Sequence, residues 1–425
     1  MSKPKLFKNG LAFGHIIECF DNTLYGFFSV LLAPVFFPST DPLTQTLSTF
    51  GAFAAGFITK PLGAIIFGIF GDATNRSAPL IFSIGLVGLP TLVIGLLPSY
   101  QDIGILAPIV LIVCRMLQGF FFGGEFAGVN VYIFETCPKE ELGKNTGLLI
   151  ASGVIGAILA TMTGLVAVLQ VLPPWSWRIP FILGGFLAFF SFYIRKNLEK
   201  LPVANSSREP YIQSIRTLMK DYKREMVFCF VLAGLTTIPL NLATVYANKI
   251  FNDLGFTPSE SMALNGLTMI FNALFLIPCG KISDIIGFSS MIKRGCLANI
   301  IVALPAFSLL TTASVGFPQV ALFIFLMMAS GTLINGCAFP YMASFFPTKS
   351  RYTGLAVSYT LGTALLSGTS PLIATLLTNY YESEVAVSWY IIFVSALTLV
   401  LHQFFILKRS TKQTLSSGLL KEQGI

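Results

Sequence analysis

Charged residues are scarce in this sequence. Lys, Arg, Asp and Glu together make up 11% of its 425 residues, against about 25% in an ordinary soluble domain. Hydrophobic residues make up 54% of the chain, and the mean hydropathy is +0.77. This composition excludes an ordinary soluble globular protein and indicates an integral membrane protein.

Histidine and paired cysteines are scarce as well. The two histidines, His15 and His402, lie far apart without a metal-ligand or nucleophile motif beside them. The seven cysteines form no Cys-x-x-Cys pair. Neither Gly-Lys pair, at 143–144 or 280–281, is followed by the Ser or Thr that a phosphate-binding loop requires. These absences argue against a membrane enzyme and an ATP-driven pump. We therefore expect no cofactor and no metal site, and we expect both histidines at the membrane interface.

Long apolar runs dominate what is present. A run of about 20 apolar residues crosses a bilayer as one helix. Twelve such runs lie near residues 11–37, 46–70, 80–98, 104–134, 147–170, 179–194, 226–250, 261–280, 291–312, 317–340, 353–379 and 385–407. They predict an all-α integral membrane protein with twelve transmembrane helices.

Basic residues are distributed unequally between the predicted loops. Because cytoplasmic loops carry the excess of Lys and Arg, this asymmetry predicts the orientation of the chain. With the N-terminus inside, the external loops of the chain hold only Arg178 and Lys249, and Lys60 and Arg115 fall within spans. The other 23 of the 27 basic residues face the cytoplasm. We therefore predict cytoplasmic N- and C-termini, and we attribute the net charge of +8 to these loops rather than to nucleic-acid binding.

A short motif occurs once in each half of the chain. Gly68 precedes Asp72 by four residues at the predicted inner end of span 2, and Gly280 precedes Asp284 in the same way in span 8. Internal repeats are common in transporters, whose substrate sites lie near the membrane midplane between the repeats. We therefore predict two six-helix bundles with a cytoplasmic linker and tail. Their bounds are 1–194 for the first bundle, 195–225 for the linker, 226–407 for the second bundle and 408–425 for the tail.

Five charged residues fall within predicted spans of the first half: Glu18 and Asp21 in span 1, Lys60 in span 2, and Arg115 and Glu125 in span 4. Each charge placed in hydrocarbon costs about 2.5 to 3.5 kcal/mol on insertion scales. Three acids and two bases leave one carboxylate without a counter-charge, and a proton is the simplest counter-ion for it. This count favours proton coupling. The alternative is a set of static ion pairs that hold spans 1, 2 and 4 together.

Neutral polar residues extend this candidate site. Tyr25 lies on the same helical stripe as the two carboxylates of span 1, and Gln118 lies seven residues before Glu125 on one face of span 4. In the second half, Asn241 of span 7 and Asn335 of span 10 are candidate cavity residues. All of these residues are predicted to contribute to proton coupling or substrate binding.

Small residues recur every four positions in two predicted spans. Gly119 and Gly123 are followed by Ala127 in span 4, and Gly153 is followed by Ala157 in span 5. Such a face allows a second helix to approach closely. We therefore expect these glycines to serve helix packing rather than direct substrate contact.

Several segments resemble the major facilitator superfamily, in particular its metabolite:proton symporter branch. In chain order they are GHIIECFDNTLYGFF, APVFFPSTDP, KPLGAIIFGIFGD, RMLQGFFFGGEFAG, WRIPF and FPTKSRYTG. The stretch GLLPSYQDIGILAPIVLIVCRMLQG is most similar to the proline/betaine members. The resemblance covers nearly the whole chain. Two positions depart from the branch: Cys19 stands where Trp is usual, and residues 72–77 read DATNRS where D-R-x-G-R-K/R is usual.

The resemblance also implies a cytoplasmic gate. Its residues here would be Gly68, Asp72, Arg76, Gly280, Asp284 and Arg351. The gate carboxylates would lie near helix N-termini, where the helix dipole favours a negative charge. The alternative is that these residues form ordinary solvated turns.

Taken together, these features favour a symporter that imports a small zwitterion, such as proline or glycine betaine, with protons. We expect it to be a monomer in the bacterial inner membrane, with the solute, protons and lipid as its partners and no nucleic acid. One alternative is a symporter of a di- or tricarboxylate such as 2-oxoglutarate or citrate, which would use Lys60 and Arg115 together. A second alternative is a nutrient sensor that binds solute without moving it.

Overall fold

The computed structural model describes residues 10–38, 42–168, 173, 175–196, 198, 218–311 and 315–422. Its helices in the first half are α1 (Leu11–Phe36), α2 (Pro42–Ala73), α3 (Ser77–Leu96), α4 (Leu106–Thr136), α5 (Leu142–Val168) and α6 (Arg178–Arg195). Those in the second half are α7 (Lys223–Asn241), α8 (Pro258–Ile286), α9 (Phe288–Ser308), α10 (Phe317–Ala343), α11 (Arg351–Gly362) and α12 (Val387–Glu422). Further helical turns extend α7 to Asp253 and α11 to Tyr381. Most of the predicted linker 195–225 lies outside the described residues.

Eleven segments of the described chain are long and apolar enough to cross a membrane, judged by their length and composition. They coincide with predicted spans 2 to 12, which are thereby confirmed as membrane-capable helices. Helix α1 coincides with predicted span 1 but is not among the eleven. It carries His15, Glu18 and Asp21. The twelfth span and the orientation of the termini stay predictions.

Glycines bring α2 and α4 into backbone contact. A Cβ atom on Gly119 would lie 1.7 Å from the carbonyl oxygen of Gly56, and one on Gly123 would lie 2.0 Å from that of Lys60. From the other side, a Cβ atom on Gly63 would lie 1.8 Å from the carbonyl oxygen of Phe120. The packing role predicted for the glycines of α4 is confirmed. This contact holds Lys60 beside the charged residues of α4.

The two halves meet through equivalent helix pairs, α2 with α11 and α5 with α8. A Cβ atom on Gly68 would lie 2.7 Å from the Cα atom of Thr353. One on Gly280 would lie 2.2 Å from the carbonyl oxygen of Gly143. The repeated glycines therefore occupy equivalent places, each packed on a helix of the opposite half. This equivalence is the structural counterpart of the repeat in the sequence.

We predict that Gly119→Ala destabilises the protein by about 1 to 3 kcal/mol, the usual effect of overpacking, because the added methyl group must separate α2 from α4. Gly266→Ala in α8 is the matched control, since a Cβ atom there would meet no atom within 4 Å. Thermal unfolding of the purified protein in detergent measures both. Equal midpoints for the two variants would contradict the close contact.

Candidate functional site

Asp21 lies at the centre of a buried polar cluster in the first half. Its Oδ1 accepts a hydrogen bond from Thr91 Oγ1 at 2.8 Å, and its Oδ2 accepts one from Gln118 Nε2 at 3.0 Å. Arg115 Nη1 donates to Gln118 Oε1 at 2.8 Å, and its guanidinium lies 4.3 Å from the centre of the Tyr25 ring. The structure thus brings four predicted site residues together. Thr91 was not predicted, since a hydroxyl within an apolar span gives little signal in a sequence.

Lys60 is the half-buried cation of this region. Its Nζ donates to Asn22 Oδ1 at 3.3 Å and lies 4.1 Å from the centre of the Phe57 ring. Glu18 is close enough to interact with it electrostatically. The hydrogen-bond partner of Lys60 is therefore a neutral amide. An ammonium group with a neutral partner keeps more capacity to bind an added carboxylate than one already in a tight ion pair.

Glu125 forms an ion pair that was not predicted. Its Oε1 accepts from Arg195 Nη1 at 2.5 Å, and its Oε2 accepts from Ser83 Oγ at 3.1 Å. Arg195 Nη1 also donates to the carbonyl oxygen of Leu80 at 3.1 Å. Both members of the pair have fully buried side chains. Arg195, placed in the linker by its sequence position, is instead the last residue of α6 and reaches into the bundle.

This pair changes the charge balance of the first half. The described residues there include three intramembrane carboxylates and three cations, namely Glu18, Asp21, Glu125, Lys60, Arg115 and Arg195. The predicted count of three acids and two bases therefore omitted one cation, Arg195, which pairs with one of those acids. The error arose because Arg195 follows the apolar run of span 6 and resembles a loop residue in the sequence. For Glu125, the geometry favours the static ion-pair alternative.

His15 lies inside the bundle beside Glu18. Its Nδ1 is 2.9 Å from Glu18 Oε2, and the Cys19 sulfur is 3.6 Å from its Nε2. The imidazole ring stacks on Phe126, with ring centres 5.0 Å apart. His402 is buried too, with Nε2 3.1 Å from Ser289 Oγ. Helix packing therefore buries both histidines, and their predicted position at the membrane interface stays a prediction.

The predicted asparagines of the second half lie in two different settings. Asn241 Nδ2 donates to Ser367 Oγ at 2.9 Å and to its carbonyl oxygen at 3.0 Å. This contact joins α7 and α11 where each continues into a π-helical turn, Leu242–Tyr246 and Thr363–Ser367. Asn335 lines a cavity of about 10 Å³ together with Thr236, Asn272 and Thr332. That volume holds about one water molecule. The two asparagines therefore do not share one cavity among the described residues.

Asp72 binds the start of a helix in the opposite half. It accepts hydrogen bonds from the backbone nitrogen and Oγ1 of Thr353, at 2.8 and 2.7 Å, and from the backbone nitrogen of Tyr352 at 3.1 Å. Arg76 Nη1 lies 2.5 Å from the same carboxylate. Tyr352 and Thr353 belong to the first turn of α11, where unpaired N–H groups and the helix dipole favour a negative charge.

Asp284 makes the equivalent contact from the second half. Its Oδ1 accepts from the backbone nitrogen of Gly143 at 2.6 Å, and its Oδ2 accepts from that of Lys144 at 2.9 Å. Both donors lie in the first turn of α5. Each half of the protein thus supplies a carboxylate to a helix N-terminus of the other half. The bundle is closed at this end by both contacts.

Glu135 completes the closed end and was not predicted. Its Oε2 accepts from Arg76 Nε at 2.9 Å, and its Oε1 accepts from Arg351 Nη1 at 2.6 Å. Arg76 also donates to the carbonyl oxygen of Thr348. Burial opposes the charge on Arg76, but Asp72 and Glu135 outweigh it and raise the pKa of the guanidinium above its usual value. The only signal for Glu135 in the sequence is its place at the inner end of span 4.

Residues 11–364 match the Major Facilitator Superfamily. The chain belongs to the Major Facilitator Superfamily. It is 30% identical over 389 residues to the citrate-proton symporter of Klebsiella pneumoniae, over 90% of this chain and 87% of that protein. It is 29% identical over 414 residues to the proline/betaine transporter of Escherichia coli, over 91% of this chain and 80% of that protein. The solved structure of the proton:xylose symporter XylE is similar at a TM-score of 0.78 and 15% identity, covering 94% of this chain and 96% of that one.

Membership of the Major Facilitator Superfamily accounts for the architecture. The protein is a multi-pass membrane transporter and not an enzyme. The contacts of Asp72 and Asp284 join the two halves of this superfamily fold at one end. The buried cluster around Asp21 belongs entirely to the first half.

We predict that Glu125→Gln lowers the free energy of unfolding by about 3 to 5 kcal/mol, because it leaves the Arg195 charge buried without a counter-charge. Arg195→Met should cost a similar amount, and the double variant should recover part of the loss. Glu140→Gln is the control, since Glu140 is exposed. Chemical denaturation in detergent measures the three effects. Wild-type stability of Glu125→Gln would contradict the ion-pair role.

We predict that Glu135→Gln weakens the closed end, because it removes the carboxylate shared by Arg76 and Arg351. Loss of charge-assisted hydrogen bonds worth about 1.5 kcal/mol should raise the open fraction about tenfold. Distances between spin labels at the exposed positions 139 and 349, in a background without native cysteines, measure this fraction.

The control for this experiment is Glu141→Gln. Glu141 pairs with Lys144 at 3.1 Å within the first half and at the surface, so its loss should leave the labels at their original separation. Identical distance distributions for Glu135→Gln and Glu141→Gln would show that Glu135 does not hold the end closed.

Proposed function

We propose that this protein is a proton-coupled symporter that imports a small zwitterionic solute, such as proline or glycine betaine, across the bacterial inner membrane by alternating access. The observation that carries the proposal is the charged cluster of α1, α2 and α4 inside the first half, beyond a closed end built from both halves. The named functions of the relatives support proton coupling and a carboxylate-bearing solute. We propose that the protein acts as a monomer.

The setting of the cations favours one carboxylate in the solute. Arg115 is already engaged by Gln118 and by the Tyr25 ring. Among the described residues, the hydrogen-bond partner of Lys60 is the neutral amide of Asn22. We propose that Lys60 binds the solute carboxylate. The cationic end of the solute would then face Glu18, whose side chain is 9% exposed.

The closed end supports a direction for the proposed cycle. In the predicted orientation it faces the cytoplasm, so the described state would receive solute and proton from outside. Breaking the contacts of Asp72, Arg76, Asp284 and Arg351 would open the site inward, with Gly68 and Gly280 as the close-contact points. Asn241 would position α7 against α11, and Asn335 would contribute a polar group near the midplane. Alternating access would thus exchange one closed end for the other.

A di- or tricarboxylate is the second candidate solute, and the identity to a citrate-proton symporter favours it. Such a solute would need a second cation in addition to Lys60. Arg115 is the nearest candidate, but it would have to leave Gln118 and Tyr25 to bind. The arrangement of the described residues therefore favours the zwitterion.

Uptake into liposomes tests this function. We expect labelled glycine betaine or proline to accumulate under an inside-negative potential with acid outside, and a protonophore to abolish accumulation. One coupled proton at 100 mV would support about 50-fold accumulation of a neutral solute. Inhibition by citrate or 2-oxoglutarate would instead identify a carboxylate symporter. Binding without accumulation would contradict transport and identify a sensor.

We predict that Lys60→Met raises the KM for the zwitterion about 10- to 100-fold, because it removes a charge-assisted hydrogen bond to the solute carboxylate. Lys281→Met is the control, since Lys281 is exposed at the end of α8. Initial uptake rates over a range of solute concentrations measure the change. An unchanged KM in Lys60→Met would show that Lys60 does not bind the solute carboxylate.

A further inference from the structure

We propose that His15 takes up the coupled proton, with Glu18 as its counter-charge and Cys19 as the partner of its second ring nitrogen. This inference rests on the proposed symport, since it assigns the proton of that reaction to one side chain. It also gives a role to a histidine for which the sequence offered no motif.

The hydrogen bonds of His15 define which nitrogen would titrate. An ionised carboxylate only accepts hydrogen bonds, so Nδ1, at 2.9 Å from Glu18 Oε2, carries a hydrogen. The Cys19 sulfur lies 3.6 Å from Nε2. A thiol is both a weak donor and a weak acceptor, so it can donate to a neutral Nε2 or accept from a protonated one. Both protonation states of the ring are thereby accommodated without moving the helix.

Uptake of the proton changes the hydrogen bond at Nε2. A proton binds to Nε2 of the neutral imidazole, and the thiol hydrogen of Cys19 turns away so that the sulfur accepts from the new N–H. The His15 and Glu18 pair changes from a net charge of −1 to zero. Cys19 is the partly exposed member of the group, whereas His15 and Glu18 are buried. Release of the same proton reverses these changes.

The surrounding charges favour coupling of this proton to an anionic group of the solute. The titratable and charged groups that face His15 and Glu18 are Cys19 of α1, Lys60 of α2, Glu125 of α4, Arg195 of α6 and Tyr359 of α11. Helix α5 presents the backbone of Gly153, where a Cβ atom would lie 2.6 Å from His15 Nε2. Protonation of His15 adds one positive charge to this group of residues. A solute carboxylate at Lys60 would offset part of this charge, so the proton and that carboxylate would strengthen each other's binding.

The ring of His15 also contacts the boundary between the halves. It stacks on Phe126 of α4, whose ring in turn lies 4.9 Å from that of Phe339 and 5.2 Å from that of Tyr359. Both of these partners belong to the second half. Only the ring of Phe126 therefore separates His15 from the second half. Opening of the closed end would break the contact of that ring with Phe339 and Tyr359.

His15→Asn tests the proposal, because asparagine keeps a polar side chain but cannot titrate. Two quantities are measured in liposomes: net accumulation of glycine betaine, and solute-driven proton entry reported by an internal pH-sensitive dye. We expect His15→Asn to retain exchange of labelled for unlabelled solute, to lose accumulation and proton entry, and to lose the pH dependence of uptake. Proton entry at the wild-type level in His15→Asn would overturn the role of His15 while leaving symport intact.

Two further results keep the test decisive. Absence of solute-driven proton entry in the wild-type protein would overturn the proposed symport itself. Cys19→Ala provides a second variant in case His15→Asn does not fold. Cys19→Ala removes a hydrogen bond from both forms of the ring, and the bond to the charged form is the stronger one. The pH midpoint of uptake should therefore shift to lower pH while accumulation remains, and an unchanged midpoint would count against the proton step at Nε2.

Discussion

The low polarity of the membrane interior is the constraint on which the arrangement of this protein depends. A charge placed there is stable only when an opposite charge or several hydrogen bonds compensate it. Asp21 is compensated by hydrogen bonds from Thr91 and Gln118. The amide of Gln118 in turn accepts a hydrogen bond from Arg115 and so links the two charged groups. Glu125 is compensated by Arg195 directly. The helices of the first half are held in register by these contacts as well as by apolar packing.

Close helix contact makes such compensation possible. Two helix pairs of the first half approach more closely than large side chains would permit. Gly119 and Gly123 provide this approach between α2 and α4, and Gly156 provides it between α5 and α1, where a Cβ atom would lie 2.0 Å from the carbonyl oxygen of Ile16. Rigid bundles result, and a rigid bundle can move as one body during transport.

The contacts between the halves are of a different kind. Asp72 and Asp284 each bind the backbone at a helix N-terminus, and Glu135 joins two arginines from opposite halves. Hydrogen bonds of this type can be exchanged for water when the end opens, so the net cost of breaking them is modest. Strong compensation within the first half and exchangeable contacts between the halves are compatible with alternating access.

Composition, apolar run length and the repeated Gly-x-x-x-Asp motif were enough to predict an all-helical membrane protein, eleven of its membrane-capable spans and its close glycine contacts. These features depend on local chemistry, on the thickness of a bilayer and on spacing along one helix. Only the tertiary structure revealed the partners of the charges. Arg195 and Glu125 are 70 residues apart, and His15 and Glu135 gave no pattern that distinguishes a buried functional group from an interfacial one. Pairing of charges across helices depends on which faces meet, and that is decided by packing of the whole bundle rather than by any single segment of the chain.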